Sequence, residues 1–269
     1  MNKETPSDPS RPSHIQSLAR TFQLIDIFSV NNQEISVTEL SDRLGWPKST
    51  TYGILSTLRD YRYVEQSPIT GRYKLGARFF EIGHVVSRSW DIQSIALPHM
   101  QKLHAAVSEM VQLAAEDQGE VLHLEKIDFC HKMNVISKTG VRVPMHCCGM
   151  GKVLLAYHSN AEVNSILTRK GMAAMASKTI TEAPILKQQL ETIRQRGYAI
   201  EDCEVMDGVG CIAAPIFDAA GHVKYAVSVT GYRADLRDTK ESIIPNLKQC
   251  AHTISHDFGY RNSQENKPN

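Results

Sequence analysis

The sequence predicts an α+β protein, with a small helical domain followed by a larger domain built on an antiparallel or mixed sheet. Three observations carry this. Ser36–Arg59 reads as two short amphipathic helices joined by a tight turn, and the residues after it alternate around a turn-forming stretch as a β-hairpin does. Beyond residue 110, strand patterns are grouped before and after central helices rather than alternating with them, which favours α+β over a doubly wound parallel sheet.

Each element follows from its spacing. Ile15, Leu18, Phe22, Ile25 and Phe28 place a first helix over Ser13–Ser29. Val37, Leu40 and Leu44 recur at helical spacing, Gly45 ends that helix, and Pro47 suits the first position of the next, where a missing N–H costs nothing. Thr51, Ile54, Leu55 and Leu58 then share one face, opposite Lys48, Ser49, Tyr52, Gly53 and Ser56. Tyr63–Gln66 and Arg72–Leu75 flank Ser67–Gly71, a hairpin that forms the wing of a winged helix-turn-helix domain over 13–75. A linker helix over 76–90 carries Phe79, Ile82, Val85 and Val86 at helical spacing and would transmit motion or hold a dimer.

The second domain, 91–260, opens with a helix through Ile92, Met100 and Val107 in which Pro98 marks a kink or an early break. Strands are expected over Val111–Ala115 and Val121–Ile127, turning at Gln118-Gly119, and over Met133–Ser137. Helices follow over Lys152–Tyr157 and Ile185–Gln195, then strands over Tyr198–Ile200, Cys211–Phe217 and Tyr225–Thr230, and a closing helix over Ser242–Phe258. The polar stretches 1–12 and 261–269 read as a disordered and a frayed tail.

Composition bounds the setting. The 269 residues are enough for two cores, the net charge is +1, and no run approaches the length of a membrane span. Met1–Pro12 lacks the apolar stretch of a signal peptide, and the six cysteines show no C-x-x-C spacing, so reduced thiols in a bacterial-type cytosol are expected.

The second face of the reading helix is small, polar and donor-rich, as an element entering the major groove must be to reach base edges unobstructed. Its expected partner is duplex DNA. Lys48, Ser49, Thr50, Tyr52, Gly53 and Ser56 are the candidate contacts, with Arg59 and Arg62 at the helix exit and Arg72 and Lys74 on the wing suited to phosphates. Residues 13–75 hold seven Lys and Arg against six Asp and Glu, so placement rather than bulk charge points to DNA.

Four blocks, in order and at characteristic spacing, give the chain a resemblance to a known family: Pro47-Lys-Ser-Thr50, Gly71-Arg-Tyr-Lys-Leu-Gly76, Val143–Ala156 and Gly208–Asp218. From about Ile15 to Tyr260 it resembles the IclR family of bacterial transcriptional regulators. The resemblance implies a linker helix used in dimerisation and a C-terminal GAF-like effector domain. It also implies a metabolite-gated regulator of operator DNA, with repression the expected mode, acting as a homodimer or a dimer of dimers. One departure concerns the reading helix: such proteins usually carry arginine where this chain has Gly53. Either Gly53 lets the helix approach the DNA backbone closely, or base reading has shifted to Ser49, Tyr52 and Ser56; the shift is preferred.

The resemblance also places effector contacts at Gly149, Met150, Glu201, Cys211, Ser228 and Thr230. Gly149 and Gly151 open a helix whose free N–H groups would favour an anion, with no side chain to obstruct approach. Ser228 and Thr230 lie two apart on a strand, hence on one face, and can donate to a carboxylate or accept from hydroxyls. Glu201 would accept hydrogen bonds from ligand hydroxyls or share a proton with a carboxylic acid. A hydroxylated or small organic acid is the expected ligand, with no cofactor and no metal. The alternative is a thiol or metal-dependent redox sensor or enzyme on the same scaffold, using Cys147, Cys148 and Cys203 beside His146. A third class, a winged helix that contacts another protein, would be separated by salt-dependent duplex binding.

Overall fold

The computed structural model describes residues 15–31, 34–88, 91–128 and 138–261, which divide into two compact units between Ser89 and Trp90. The expected tail 1–12, nearly all of 261–269 and the expected strand Met133–Ser137 lie outside the described residues.

The first unit runs α1 (Gln16–Asn31), α2 (Val37–Leu44), α3 (Lys48–Asp60), β1 (Val64–Gln66), β2 (Tyr73–Leu75) and α4 (Ala77–Arg88). Ser36 starts α2 through a capping box: its hydroxyl accepts the Glu39 N–H at 3.2 Å while the Glu39 carboxylate accepts the Ser36 N–H at 2.8 Å. Gly45 ends the helix in the left-handed region at φ 67°, the conformation glycine adopts without a Cβ penalty. Pro47 sits one residue earlier than expected, as the N-cap of α3 rather than its first residue. Thr51 is fully buried, and its Oγ1 meets the Ser41 hydroxyl at 3.0 Å, so a buried polar pair locks α2 against α3. Leu24, Phe28, Leu40, Leu55, Val64 and Tyr73 form the core. β1 and β2 pair antiparallel from Val64 opposite Leu75, and Ile35 adds a bridge to Tyr73 through two backbone bonds of 2.8 Å.

The second unit holds α5 (Asp91–Val107), β3 (Met110–Asp117), β4 (Glu120–Ile127), β5 (Arg142–Pro144), α6 (Gly149–Ala156), α7 (Asn160–Lys170), α8 (Ala183–Arg196), β6 (Ala199–Asp202), β7 (Val209–Phe217), β8 (Val223–Tyr232) and α9 (Arg233–Asp257). Six strands pair antiparallel in the order β5-β4-β3-β8-β7-β6. Alternation splits the strands between two cores. Leu113, Ile212, Ile216 and Val227 face α5 and α9, whereas Ala114, Ala213 and Ala226 face α6, α7 and α8. Gln118 and Gly119, at φ 54° and 79°, make the two-residue turn between β3 and β4.

The structure departs from expectation at four places here. Pro98 neither breaks nor ends its helix, which runs from Asp91 to Val107. α9 starts at Arg233, well before Ser242, because its first turns carry mostly charged, exposed residues that show no apolar stripe. α7 shows no clear apolar period in the sequence and is not expected from it, although Ser159 and Glu162 form a capping box. β5 is three residues long, too short to alternate visibly.

Candidate functional site

The outer face of α3 leaves Lys48, Ser49, Tyr52 and Gly53 exposed, with Thr50, Ser56 and Arg59 half-buried beside them. Nothing lies within 4 Å of a Cβ built at Gly53, so no packing inside the protein requires glycine there. Arg59 reaches the wing, donating to Gln66 Oε1 at 3.0 Å. Lys74 lies opposite Glu65 in the hairpin and pairs with it at 3.4 Å, both side chains half exposed. Arg72 is placed differently from the phosphate-contact expectation. It donates to both Glu39 carboxylate oxygens at 2.8 and 2.7 Å and to the Glu34 carbonyl at 3.0 Å, tying the wing to α2. Hydrogen bonds from the Ser36 backbone and hydroxyl, then from Arg72, hold the Glu39 carboxyl down at about 2.

In the second unit, strand register assembles a cavity on the face of the sheet toward α6. Met110, Thr230, Cys211 and Glu201 lie in one row across β3, β8, β7 and β6, each directly opposite the next. The next row is Gln112, Ser228, Ala213 and Ala199, whose two alanines make room for α6. Cys148 and Met150 come from the start of α6, His123 and Val143 from β4 and β5, Val205 and Met206 from the segment after β6, and Val209 from the start of β7. The cavity is partly open, and the space within its lining, counted out into the solvent at its mouth, is about 520 Å³. Of the six expected effector positions, Met150, Glu201, Cys211, Ser228 and Thr230 line it.

Gly149 does not. A Cβ there would lie 2.5 Å from Cys211 Sγ, so this glycine lets α6 pack on β7 rather than opening backbone to a ligand. Gly151 likewise abuts the Met145 backbone. The helix start is no open anion cradle either: the Gly151 N–H donates to Cys148 Sγ at 3.3 Å, and the Gly149 N–H to Cys211. Gln112 and His123 were missed because a polar residue inside an apolar strand shows its purpose only once cross-strand register is known. The spacing of Met110 and Gln112, two apart like Ser228 and Thr230, was the available signal.

The polar groups of the cavity form a defined pattern. Thr230 Oγ1 donates to Gln112 Oε1 at 2.8 Å, and Gln112 Nε2 meets His123 Nδ1 at 3.1 Å. Burial pushes the His123 imidazole down to about 4, so the ring is neutral at pH 7; with Nδ1 accepting from Gln112, its proton sits on Nε2. Ser228 Oγ is fully buried and has no hydrogen-bond partner among the described residues. Such a hydroxyl costs about 1–3 kcal/mol until something satisfies it. Burial pushes the Glu201 carboxyl up to about 7; the Glu204 carboxylate adds to the rise, while the N–H groups of Glu204 and Val205 and the Lys152 ammonium oppose it. Lys152 itself is fully buried, ion-paired with Glu204 and bonded to Gln189 Oε1 at 2.9 Å.

Burial disfavours the thiolate at the candidate thiols. Burial pushes Cys147 up to about 12 and raises Cys148, Cys203 and Cys211, the reverse of what thiolate chemistry needs. His146 is buried and bonded to the Ala173 carbonyl at 3.0 Å. Among the described residues no group of three or more His, Cys, Asp or Glu side chains is placed to hold a metal ion, and no helix is long and apolar enough to cross a membrane.

A helix-turn-helix with an open polar face, joined in one chain to an α+β unit with a cavity lined by a few convergent polar groups, defines the class of two-domain transcriptional regulators. The chain belongs to the IclR family: the IclR helix-turn-helix domain matches residues 17–68, and the bacterial transcriptional regulator IclR C-terminal domain matches residues 84–256. It is 32% identical to the HTH-type transcriptional regulator KdgR of Dickeya chrysanthemi over 93% of this chain and 82% of that protein. It is also 32% identical to the transcriptional repressor IclR of Escherichia coli (strain K12), over 84% of this chain and 83% of the other. The crystal structure of the Thermotoga maritima IclR superposes with a TM-score of 0.77 at 28% identity, covering 92% of this chain and all of that one. These relatives are transcriptional regulators, not enzymes, and the chain is a DNA-binding regulator of the same family.

Proposed function

We propose that the chain is a sequence-specific repressor whose hold on a palindromic operator is released by a small organic acid bound in the cavity under α6. The observation that carries the ligand-gated part is Ser228: a buried, unpartnered hydroxyl facing an apolar cavity is stable only at a cost that a ligand oxygen removes. On the DNA side, Ser49, Tyr52 and Ser56 are the reading contacts, with Lys48 and Arg59 at phosphates. Repression is supported by the 32% identity to a transcriptional repressor. A homodimer, alone or doubled, is supported by large apolar side chains left exposed on α1 (Leu18, Phe22) and α4 (Ile82, Val85). Two winged helices would then meet half-sites about one helical turn apart, or a multiple of it. Ligand binding shifts them only by favouring one quaternary arrangement.

The test is duplex binding by fluorescence anisotropy, using DNA upstream of the chain's own gene and titrating small organic acids as releasing agents. Ser228→Ala is expected to weaken release at least several-fold and to leave duplex affinity unchanged. Release curves indifferent to this substitution would remove the cavity assignment.

A further inference from the structure

Among the described residues, the cavity contains an acid and no free cation. Glu201 is 5% exposed and stands in the row of Met110, Thr230 and Cys211, so its carboxyl group faces the space a ligand would fill. The elements packed against it bring no unpaired charge to compensate it. From β7 comes the neutral Cys211 thiol, and from β8 and β3 the uncharged Ser228, Thr230 and Gln112. His123 on β4 is a neutral imidazole at pH 7. α6 brings Lys152, but that ammonium is ion-paired with Glu204, the residue whose backbone N–H donates to Glu201. The next residue along β6, Asp202, points to the opposite face, where Lys178 and Arg233 pair with it. No cation among the described residues is therefore left to balance a ligand carboxylate in this cavity. What the walls offer instead is donors: the Ser228 hydroxyl and the His123 Nε2–H.

We propose that Glu201 is the specificity-determining residue of the cavity: it shares one proton with the carboxylate of a monocarboxylic acid, taken up from solvent as the acid binds, and it excludes ligands that bring a second ionised carboxylate. This rests on the cavity being the ligand site. Two carboxyl groups in contact in a low-dielectric pocket cannot both ionise, but a single proton between them turns repulsion into a strong hydrogen bond. Ionised Glu201, ligand carboxylate and one proton enter, and one shared-proton pair results, the second oxygen of the ligand accepting from Ser228 and His123 while Glu201 keeps the Glu204 N–H. A dicarboxylate would need a second proton or a cation that the described walls lack. Burial pushes the Glu201 carboxyl up to about 7, which makes this proton available near neutral pH.

The experiment is isothermal calorimetry on the full chain with benzoate and with succinate as probes, at about pH 8 in two buffers of different ionisation enthalpy, followed by a pH series. Benzoate is expected to bind with uptake of about one proton per site, its Kd weakening about tenfold per pH unit above about 7 and flattening below. Succinate is expected to bind at least about tenfold more weakly. Glu201→Gln, an isosteric change that carries its own N–H donor, should bind benzoate with no uptake and no pH slope; Glu201→Asp should keep the uptake. The wild-type proton count stands whether or not either variant folds. Benzoate binding without proton uptake, uptake that persists in Glu201→Gln, preference for succinate, or no binding of benzoate at all would overturn the proposal. If benzoate binds without a proton yet is weakened by Ser228→Ala, the proton sharing fails and the cavity reading survives. If binding ignores both Ser228→Ala and Glu201→Gln, the cavity reading itself fails.

Discussion

Gly53 is an exposed glycine in the middle of α3, with open space where its side chain would be. Helix propensity alone sets its cost, about 1 kcal/mol against alanine. Gly53→Ala should therefore raise stability by about that amount in thermal or denaturant unfolding. The same variant separates the two accounts of the missing arginine. If bases are read by Ser49, Tyr52 and Ser56, duplex affinity stays unchanged; if glycine is there for close approach to the DNA backbone, affinity falls although the protein is more stable. Residue chemistry was only partly legible in the sequence. Ser228 and Thr230 could be read as one face from their spacing, and they do line one cavity. Gly149 could not, because a glycine at a helix start looks alike whether it faces a ligand or, as here, a neighbouring sulfur.

At the scale of the element, the wing illustrates how contacts reassign residues of similar appearance. Lys48, Arg59, Arg72 and Lys74 are equally basic in the sequence, yet Arg72 alone makes a bidentate pair with a carboxylate that also caps α2. Lys48→Ala should lower the salt dependence of duplex binding by about one unit of slope and weaken all sequences alike, as loss of one phosphate contact does. Arg72→Ala should act on the protein first, loosening the wing in hydrogen exchange of residues 64–75 while changing the salt slope little. A slope reduced equally by both would return Arg72 to the phosphate contacts. α7 shows the opposite failure: its cap was written in Ser159 and Glu162, but its apolar side is only Val163, Ile166 and Leu167, too short a stripe to stand out.

At the scale of the whole molecule, the proposed homodimer draws support from apolar side chains exposed on the linker helix. Ile82 is 38% and Val85 69% exposed on α4. If that face is the dimer contact, Ile82→Glu with Val85→Glu should shift the protein toward monomer in light scattering and cost operator affinity at least about tenfold, because two half-sites are then bound independently. An unchanged oligomer with unchanged affinity would place the dimer contact elsewhere. By itself the sequence determined the helix-turn-helix, the wing, the α+β class, the family and which strand positions share a face. Periodicity, caps and turns are local, so a chain of letters carries them openly. Only the tertiary structure decided that Lys152 is neutralised by Glu204, 52 residues away, and that Thr230 meets Gln112 across 118 residues. It also decided that Glu201 faces its cavity with no free cation among the described residues. Those outcomes depend on which strands lie side by side and in what register, and burial then sets the charge each group can carry.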